Sequence, residues 1–291
     1  MSNDYRPEDF HSPHAPAWCK GCSFYSVLSA LTKMLSSAHI DPQKVNIISG
    51  IGCSSRMPFY MSTPGIHTLH GRAIPVATGA RLANPEIPVL VIGGDGDLFS
   101  IGAGHFIHAA RNNFNMTVLC LDNHMFAMTH NQTSPTSPGN HKGSLTPRGH
   151  YTTPLNPLRL AVTSGATFVA RTYAGSVQHM KEIFLKAFNH EGFSFVQVLA
   201  PCLIFGNNKR VADIFSRVYD VNSPMAFDPA VTTHDSDPTE SFVDYGRDSK
   251  GAIPVGVFLI RHSATYESKA AIKNQKTVSV HEYIDRLRIT E

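Results

Sequence analysis

The sequence is poor in charged residues, which make up 16% of its 291 positions, against about 25% in an average soluble domain. The net charge of +3 is spread along the chain and is not gathered into a run of lysine and arginine. A nucleic-acid-binding protein should show a basic patch or stripe, so nothing here supports that function. So little charge also indicates that part of the surface faces partner chains.

Long apolar runs are absent as well. Nowhere do about 18 apolar residues follow one another, which is the length that begins to suggest a transmembrane helix. Residues 1–17 are polar and proline-rich, and they lack the apolar stretch of a signal peptide. These absences predict a cytoplasmic protein that does not associate with membranes.

Cysteine is scarce, with five residues in the chain, too few and odd in number for a disulfide scaffold. Their positions are more informative than their number. Cys19 and Cys22 form a Cys-x-x-Cys pair, and Cys53 and Cys202 each follow an apolar run of strand length. Cys120 lies inside such a run, which predicts a small buried hydrophobic residue.

Apolar runs alternate with helical stretches between residues 19 and 200, which predicts an α/β fold with a mostly parallel sheet and helices on both faces. The spacing predicts helices over residues 24–37, 73–83, 98–112 and 176–189, and strands over residues 45–49, 89–92, 116–121, 167–170, 195–199 and 255–260. Residues 129–157, rich in proline, glycine and small polar residues, are predicted to form a long loop, and such loops often carry function.

Gly94, Asp95 and Gly96 lie where the second predicted strand ends and a helix begins. Glycines at such a turn let backbone amides approach a phosphate, and a helix amino terminus favours negative charge. Asn123 follows the next strand, so the parallel sheet should bring it close to Asp95. A carboxylate and an amide oxygen can hold one Mg²⁺, which completes its octahedron with phosphate oxygens and water. This arrangement suits a bound diphosphate.

Gly94-Asp95-Gly96 followed by Asp122-Asn123 resembles the thiamine diphosphate motif of thiamine-dependent enzymes. The resemblance implies that Mg²⁺ is bound by Asp95, the side chain of Asn123 and the backbone carbonyl of Met125. It also implies a set of residues that seat the diphosphate, namely His70, Gly71, Arg72, Gly94, Gly96 and Asp97. The alternative interpretation is structural, with Asp95 as a helix N-cap and Asn123 as a turn residue.

The four loop cysteines can close the ligand shell of one metal centre. A pair two residues apart binds one corner of a cluster, and distant cysteines complete the set that a 4Fe–4S cluster requires. Cys53 and Cys202 should lie on the same sheet edge as the Gly94 turn, so the metal centre and the cofactor site are predicted to be neighbours. A structural zinc site with four cysteines is the alternative.

The order of these motifs along residues 14–205 resembles the β subunit of the 2-oxoacid:ferredoxin oxidoreductases. The motifs are Trp18-Cys19-Lys20-Gly21-Cys22, Gly52-Cys53-Ser54, His70-Gly71-Arg72, Gly94-Asp95-Gly96-Asp97 and Pro201-Cys202. The resemblance implies one 4Fe–4S cluster on Cys19, Cys22, Cys53 and Cys202. Ser23 departs from the family, which more often has glycine there, but no ligand chemistry depends on it.

The resemblance also divides the chain into three parts. Residues 1–18 form an N-terminal arm, and residues 19–205 form the domain that binds thiamine diphosphate and the cluster. Residues 206–291 form a C-terminal extension that is expected to pack on a partner subunit.

A catalytic glutamate is missing from the pattern. In thiamine enzymes a glutamate at the end of a strand in a separate pyrimidine-binding domain drives the aminopyrimidine to its imino form. None of the eight glutamates in this sequence closes a predicted buried strand. The acid is therefore expected from an α subunit, as the resemblance also implies, in an (αβ)₂ assembly. This chain alone is expected to be inactive.

The reaction implied is the reversible oxidative decarboxylation of a 2-oxoacid, with coenzyme A as acyl acceptor and ferredoxin as electron acceptor. Arg56, Met128 and His130 follow the third cysteine and the Asn123 turn, where they could face the substrate. A distal carboxylate would pair with Arg56 or His130, which favours 2-oxoglutarate over pyruvate. Each of these residues could instead be a solvated loop residue.

Two other classes of function remain open. A cluster-free thiamine diphosphate carboligase or decarboxylase would share the Gly94 turn but would not use four cysteines. A non-catalytic iron–sulfur electron-transfer subunit would keep the cysteines but would not use Asp95 and Asn123. Visible colour in anaerobically purified protein would separate the first class from the oxidoreductase, and thiamine diphosphate in an acid extract would separate the second.

Overall fold

Eight strands form one mostly parallel sheet in the computed structural model, which describes residues 4–206, 208–222 and 251–270. The strands are β1 (Asn46–Ser49), β2 (Gly65–His67), β3 (Val89–Gly94), β4 (Met116–Asp122), β5 (Phe168–Tyr173), β6 (Phe193–Leu199), β7 (Val218–Asp220) and β8 (Ile253–Ile260). Their order across the sheet is β2-β1-β3-β4-β6-β5-β8-β7. The β5–β8 pair is antiparallel and the other neighbours are parallel, which confirms the predicted fold class.

Helices cover both faces of this sheet. In the described residues they are α1 (Phe24–Ser37), α2 (Ala73–Ala83), α3 (Asp95–Phe99), α4 (Ala103–Asn112), α5 (Pro157–Thr163), α6 (Val177–Asn189), α7 (Leu203–Gly206), α8 (Asn208–Ser216) and α9 (Tyr266–Lys269). Side chains alternate between the two faces of a strand, so Leu90 and Ile92 of β3 pack with α1 and α6, whereas Val91 packs with α2 and α4. No helix in the described ranges is long and apolar enough to span a membrane.

The predicted helix over residues 98–112 is in fact two helices, α3 and α4. The backbone turns sharply at Ser100, where φ is −96° and ψ is −100°. A Cβ at Gly102 would lie 2.6 Å from the carbonyl oxygen of Asp97, and one at Gly71 would lie 2.7 Å from the Gly102 nitrogen. The helix breaks there because these backbone segments touch. Periodicity also misses β2 and α5, which have three and seven residues.

The carboxyl ends of four central strands lie side by side. Strands β1, β3, β4 and β6 are adjacent and parallel, so the segments that follow them share one edge of the sheet. Those segments contain Cys53, the Gly94 turn, Asn123 and Cys202. The topology therefore gathers the predicted site residues at a single edge.

The described part of the predicted C-terminal extension packs on the sheet of its own chain. Strand β8 pairs with β5, and Glu267 of α9 reaches the opposite, amino edge of the sheet. There its carboxylate accepts hydrogen bonds from Arg81 Nε at 3.2 Å and from the Asn115 amide at 3.1 Å. Packing on a partner subunit stays a prediction, and residues 223–250 and 271–291 of the extension lie outside the described residues.

The ion pair between Arg81 and Glu267 is buried, so loss of one partner should be costly. Glu267→Ala is expected to lower the free energy of unfolding by about 3–5 kcal/mol, because it leaves the Arg81 charge buried and uncompensated. Urea unfolding measures this change. Glu191→Ala removes an exposed carboxylate and should change stability by no more than about 0.5 kcal/mol. Equal effects of the two variants would contradict a structural role for the pair.

Candidate functional site

A cleft opens at the carboxyl edge of the sheet, with about 490 Å³ of empty space. Its walls are residues 51–54, 94–97, 123 and 125–129, together with His70. These segments follow β1, β3 and β4, so the topology alone brings the Gly94 turn and the Asn123 turn to one space. The cleft is where the sequence places the diphosphate and its cation.

Tight packing explains the glycines of the first turn. A Cβ at Gly96 would lie 2.3 Å from the ring of Phe126, and one at Gly94 would lie 3.1 Å from the Ser54 hydroxyl. Helix α3, which begins at Asp95, has five residues, too few for its dipole to contribute much to binding a phosphate. The close approach of the backbone to the cleft remains.

Asp95 lies buried at the cleft. Its Oδ2 accepts hydrogen bonds from the hydroxyls of Ser134 at 2.5 Å and Thr136 at 2.7 Å, and its Oδ1 accepts one from the Asn123 amide at 3.4 Å. Burial, reinforced by the negative charge of Asp122, raises the pKa of Asp95 to about 7. A carboxylate that is so costly to ionise within the chain is suited to bind a cation.

Asp122 belongs to the same site; the sequence contains it only as the motif residue before Asn123 and predicts no role for it. Its side chain is fully buried, and the Thr136 hydroxyl that donates to Asp95 lies 3.0 Å from Asp122 Oδ1. Gln197 donates to Asp122 Oδ2 at 2.7 Å. Burial raises the pKa of Asp122 as well. Such a network depends on tertiary contacts between distant segments, which a single sequence does not reveal.

Asp97 joins two loops of the cleft. Its Oδ1 accepts hydrogen bonds from the Ile51 amide at 3.0 Å and the Gly71 amide at 2.8 Å, and His70 Nδ1 lies 3.6 Å away. Asp97 and His70 both line the cleft, as the sequence predicts for a diphosphate seat. The observed contacts of Asp97 give it a structural part, because its carboxylate holds the loops in place.

Arg72 is directed elsewhere. Its guanidinium donates to His105 Nε2 on α4 at 2.7 Å, and it is not part of the cleft wall. Burial and, second, the charge of Arg72 lower the pKa of His105. The predicted contribution of Arg72 to the diphosphate seat has no support in this geometry.

Asn123 does face the cleft. Its Oδ1 accepts a hydrogen bond from the Met125 amide at 3.1 Å, which fixes the turn.

A second cavity, with about 730 Å³ of empty space, adjoins the cleft. The four loop cysteines, Cys19, Cys22, Cys53 and Cys202, all line it, whereas Cys120 is buried inside β4. Some residues line both the cleft and this cavity, namely Cys53, Asn123, Ala127 and Met128. The structure therefore brings the four predicted thiols together, directly beside the Asp95 cleft.

The thiols lie around this cavity and do not converge on a point. Among the described residues, no group of three or more His, Cys, Asp or Glu side chains could hold a metal ion. Zinc requires its ligand sulfurs at about 2.3 Å from one ion, and this arrangement does not provide that site. Burial, with a smaller contribution from the other three cysteines, raises the pKa of Cys22 to about 11.

Trp18 fixes the Cys-x-x-Cys turn against the third cysteine. Its indole nitrogen donates to the carbonyl of Cys53 at 2.7 Å, and its ring packs edge-on against Tyr60, with centroids 4.7 Å apart. Within the turn the Cys22 amide donates to the Cys19 carbonyl at 3.0 Å, and Gly21 supplies a φ of +79°. These contacts fix the position of the Cys-x-x-Cys turn relative to Cys53.

The predicted substrate residues lie on the side of the cysteine cavity. Arg56 lines that cavity, and Met128 lines both cavities. His130 lines neither, but its ring packs against Phe205, a wall residue of the cysteine cavity, with centroids 6.1 Å apart. The structure thus brings Arg56 and Met128 together and places His130 behind Phe205.

His130 and its neighbour Asn131 have left-handed backbones, with φ of +69° and +71°. Such a conformation costs most residues about 1–2 kcal/mol each, and glycine adopts it freely. Two adjacent residues with side chains in this region mark strained backbone, which tends to cluster at functional sites. Nothing in the sequence indicated a positive φ at these two positions.

Comparison with known proteins agrees with the geometry. Residues 50–198 match the family of the thiamine pyrophosphate enzyme C-terminal TPP-binding domain. The chain therefore contains a thiamine diphosphate-binding domain and belongs to the class of thiamine-dependent enzymes.

Longer relatives define the family. The chain is 38% identical over 261 residues to the β subunit of 2-oxoacid:ferredoxin oxidoreductase 1 from Aeropyrum pernix, across 88% of this chain and 82% of that one. It is 40% identical over 191 residues to 2-oxoglutarate synthase subunit KorB from Methanocaldococcus jannaschii, across 65% and 70%. The chain belongs to the 2-oxoacid:ferredoxin oxidoreductase β subunits, a family of oxidoreductases, as its motifs predicted.

A solved structure matches nearly the whole chain. It is described as 2-oxoglutarate:ferredoxin oxidoreductase from Magnetococcus marinus with 2-oxoglutarate, coenzyme A and succinyl-CoA bound. The TM-score is 0.84 at 34% identity, with 98% of this chain and 97% of the other covered. The agreement extends over the fold as well as the local motifs.

Gly96→Ala tests whether the cleft holds thiamine diphosphate. The added methyl group would displace the Phe126 ring, and the resulting rearrangement should weaken cofactor binding roughly tenfold. Equilibrium dialysis of the purified protein measures the affinity. Gly104→Ala on α4 is a matched control, since a Cβ there meets no atom within 4 Å. Unchanged affinity in Gly96→Ala would contradict this location for the cofactor.

Proposed function

We propose that the chain is the β subunit of a 2-oxoglutarate:ferredoxin oxidoreductase. This enzyme converts 2-oxoglutarate and coenzyme A reversibly into succinyl-CoA and CO₂, with ferredoxin as the electron acceptor. One observation carries the proposal, which is that four cysteines line a cavity that adjoins the Asp95 cleft and shares Cys53 and Asn123 with it. The name of the Methanocaldococcus relative and the ligands of the Magnetococcus structure support 2-oxoglutarate as the substrate.

The cleft fits thiamine diphosphate with Mg²⁺. When bound, thiamine diphosphate supplies a nucleophilic carbon and an electron sink for decarboxylation. Asp95, the side chain of Asn123 and the Met125 carbonyl would hold the cation, because carboxylate, amide and carbonyl oxygens are its preferred ligands.

The second cavity fits one 4Fe–4S cluster. Four cysteine thiolates are the ligand set of such a cluster, and the thiols surround a space larger than a single ion needs. Because Cys53 lines both cavities, electrons released in the cleft would have a short path to the cluster. Cys19, Cys22, Cys53 and Cys202 would hold the cluster, which would supply one-electron transfer toward an outside carrier, for which ferredoxin is proposed.

The cluster assignment predicts a difference between cysteines. Cys202→Ala should lose the iron–sulfur absorbance, and Cys120→Ala should keep it, because Cys120 is fully buried in β4 away from the cavity. Iron and sulfide analysis of anaerobically purified protein should give about four of each per chain. Loss of the cluster in Cys120→Ala with retention in Cys202→Ala would refute the ligand set.

An α subunit would complete the active site. No glutamate among the described residues lines the cleft, so the acid that activates the cofactor would come from the partner, in an (αβ)₂ assembly in the cytoplasm. Apolar side chains are exposed close to the cleft, at Ile51, Leu69 and Ile101, and apolar surface of this kind suits a subunit contact.

Assay of the co-expressed pair tests the function directly. The pair should oxidise 2-oxoglutarate with coenzyme A and ferredoxin, and the β chain alone should not. A clear preference for pyruvate would overturn the choice of substrate. Thiamine diphosphate without iron would indicate a cluster-free decarboxylase or carboligase, and iron without thiamine diphosphate would indicate an electron-transfer subunit.

Arg56 and His130 are proposed to bind the distal carboxylate of 2-oxoglutarate. An arginine remains charged at any relevant pH and can bind a carboxylate through two hydrogen bonds. The His130 ring does not line the cavity and packs against Phe205, which does, so direct contact with the substrate would need a side-chain movement. The strained backbone of His130 supports a use for its side chain.

Arg56→Gln should therefore raise the KM for 2-oxoglutarate by about 30-fold or more, as expected for the loss of one charged hydrogen-bonded partner. Turnover of 2-oxobutyrate, which lacks the distal carboxylate, should fall much less. His130→Gly should show the same selectivity and little loss of stability, because glycine accepts a positive φ. Lys33→Ala, on the exposed face of α1, is the control. Equal losses on both substrates would mean that Arg56 acts on the cofactor or cluster.

A further inference from the structure

Two hydroxyl groups of the loop over residues 129–157 reach Asp95. We propose that Ser134 and Thr136 are positioning residues, anchored by a buried chain of Asp122, Gln197 and Arg171, that hold the Asp95 carboxylate in the orientation needed for the cation. The inference rests on the proposed function, because it assigns the Asp95 site to Mg²⁺ and a diphosphate.

The hydroxyls act on one oxygen of Asp95. Ser134 and Thr136 both donate to Oδ2, whereas Oδ1 accepts only the longer bond from the Asn123 amide among the contacts of the described residues. Two bonds to one oxygen oppose rotation of the carboxylate. Oδ1 therefore keeps a fixed direction and retains capacity for a further partner.

The loop itself is fixed close to these hydroxyls. The Ser137 hydroxyl donates to the His124 carbonyl at 2.6 Å and accepts the Ser134 amide at 2.8 Å. Ser134, Thr136 and Ser137 are all buried. Three hydroxyl residues of a long polar loop are thus buried and hydrogen-bonded. A loop that only connected β4 to α5 would leave such residues exposed to solvent.

The anchor crosses three strands. The Thr136 hydroxyl lies 3.0 Å from Oδ1 of Asp122 on β4, and the other oxygen of Asp122 accepts a hydrogen bond from Gln197 Nε2 of β6 at 2.7 Å. Gln197 Oε1 accepts Arg171 Nε of β5 at 2.9 Å, and the two residues are register partners in the sheet. Asp122, Gln197 and Arg171 are each at most 1% exposed. The positive charge of Arg171 thus lies at one end of a buried chain that reaches Asp95.

This arrangement suits a carboxylate whose cation comes and goes. Without the cation, only hydrogen bonds within the chain fix the direction of the Asp95 carboxylate. Thr136 donates its single proton to Asp95, and Gln197, itself held by Arg171, donates to Asp122, so each carboxyl group has its own donor. The site is then formed before the cation and diphosphate arrive, which lowers the cost of binding.

Thr136→Val tests the inference, because valine has nearly the same shape but no hydroxyl. The test uses the co-expressed α–β assembly with Mg²⁺ present. We expect the dissociation constant for thiamine diphosphate to rise about tenfold or more, because a hydrogen bond to a charged group is lost. Thr136→Ser keeps the hydroxyl and should restore affinity to within about threefold of the wild type. Equilibrium dialysis measures the affinity, and urea unfolding without cofactors measures stability.

Thr117→Val is the matched control. Thr117 is buried like Thr136 but lies near the amino end of β4, away from the cleft. Its hydroxyl donates to the Ala187 carbonyl at 3.2 Å. It should lose stability as Thr136→Val does and keep its affinity for the cofactor. If Thr136→Val does not fold, Ser134→Ala tests the same oxygen of Asp95 with a smaller change in packing.

Three results separate the possible failures. Wild-type affinity in Thr136→Val, with lowered stability alone, would overturn the positioning role. Equal loss of affinity in Thr136→Val and Thr136→Ser would also overturn it, because the hydroxyl would then not be the cause. Asp95→Ala should abolish binding, and if it instead binds normally, the proposed cation site itself is wrong.

Discussion

The burial of two carboxylates side by side is the constraint on which this site depends. Asp95 directly follows β3 and Asp122 ends the adjacent parallel strand β4, and the pairing of Gly94 with Leu121 in the sheet brings them together. Neither can ionise cheaply there, so other parts of the chain must compensate. The loop over residues 129–157 folds back to supply hydroxyls, β6 supplies an amide and β5 supplies a cation. A fold that only needed stability would place apolar residues at these strand ends.

The second organising fact is that the cleft and the cysteine cavity share a wall. Cys53 and Asn123 come from different strands, yet both face the two spaces. Chemistry that leaves electrons on an organic cofactor needs an acceptor nearby, and the proposed cluster would lie beside the cofactor without a separate domain. Both sites use the carboxyl edge of one parallel sheet, which is where ligands bind in open α/β folds.

Much of this could be predicted from the sequence, for reasons that particular elements make clear. Helix α1 shows a clear apolar period, and its predicted bounds are correct. Asp95, Asn123, Cys53 and Cys202 could be predicted to meet because strand ends in a parallel sheet are neighbours. Cys19 and Cys22 precede the first strand and were linked to them by the motif alone. Their roles as ligands stay predictions. Arg171 could not be linked to the site, since a buried arginine in a strand carries no local signal. The contact of Arg72 with His105 likewise depends on how α2 and α4 pack.

The anchor of Arg171 bears on the order in which the subunit is completed. Its guanidinium also donates to the Pro254 carbonyl of β8, a residue 83 positions later in the chain. A contact between residues so far apart in sequence requires closure of a long loop, which slows folding. The part of the site that depends on Arg171 therefore reaches its final form only after β8 has joined the sheet. Completion of the Asp95 site is thus coupled to the pairing of β8 with β5.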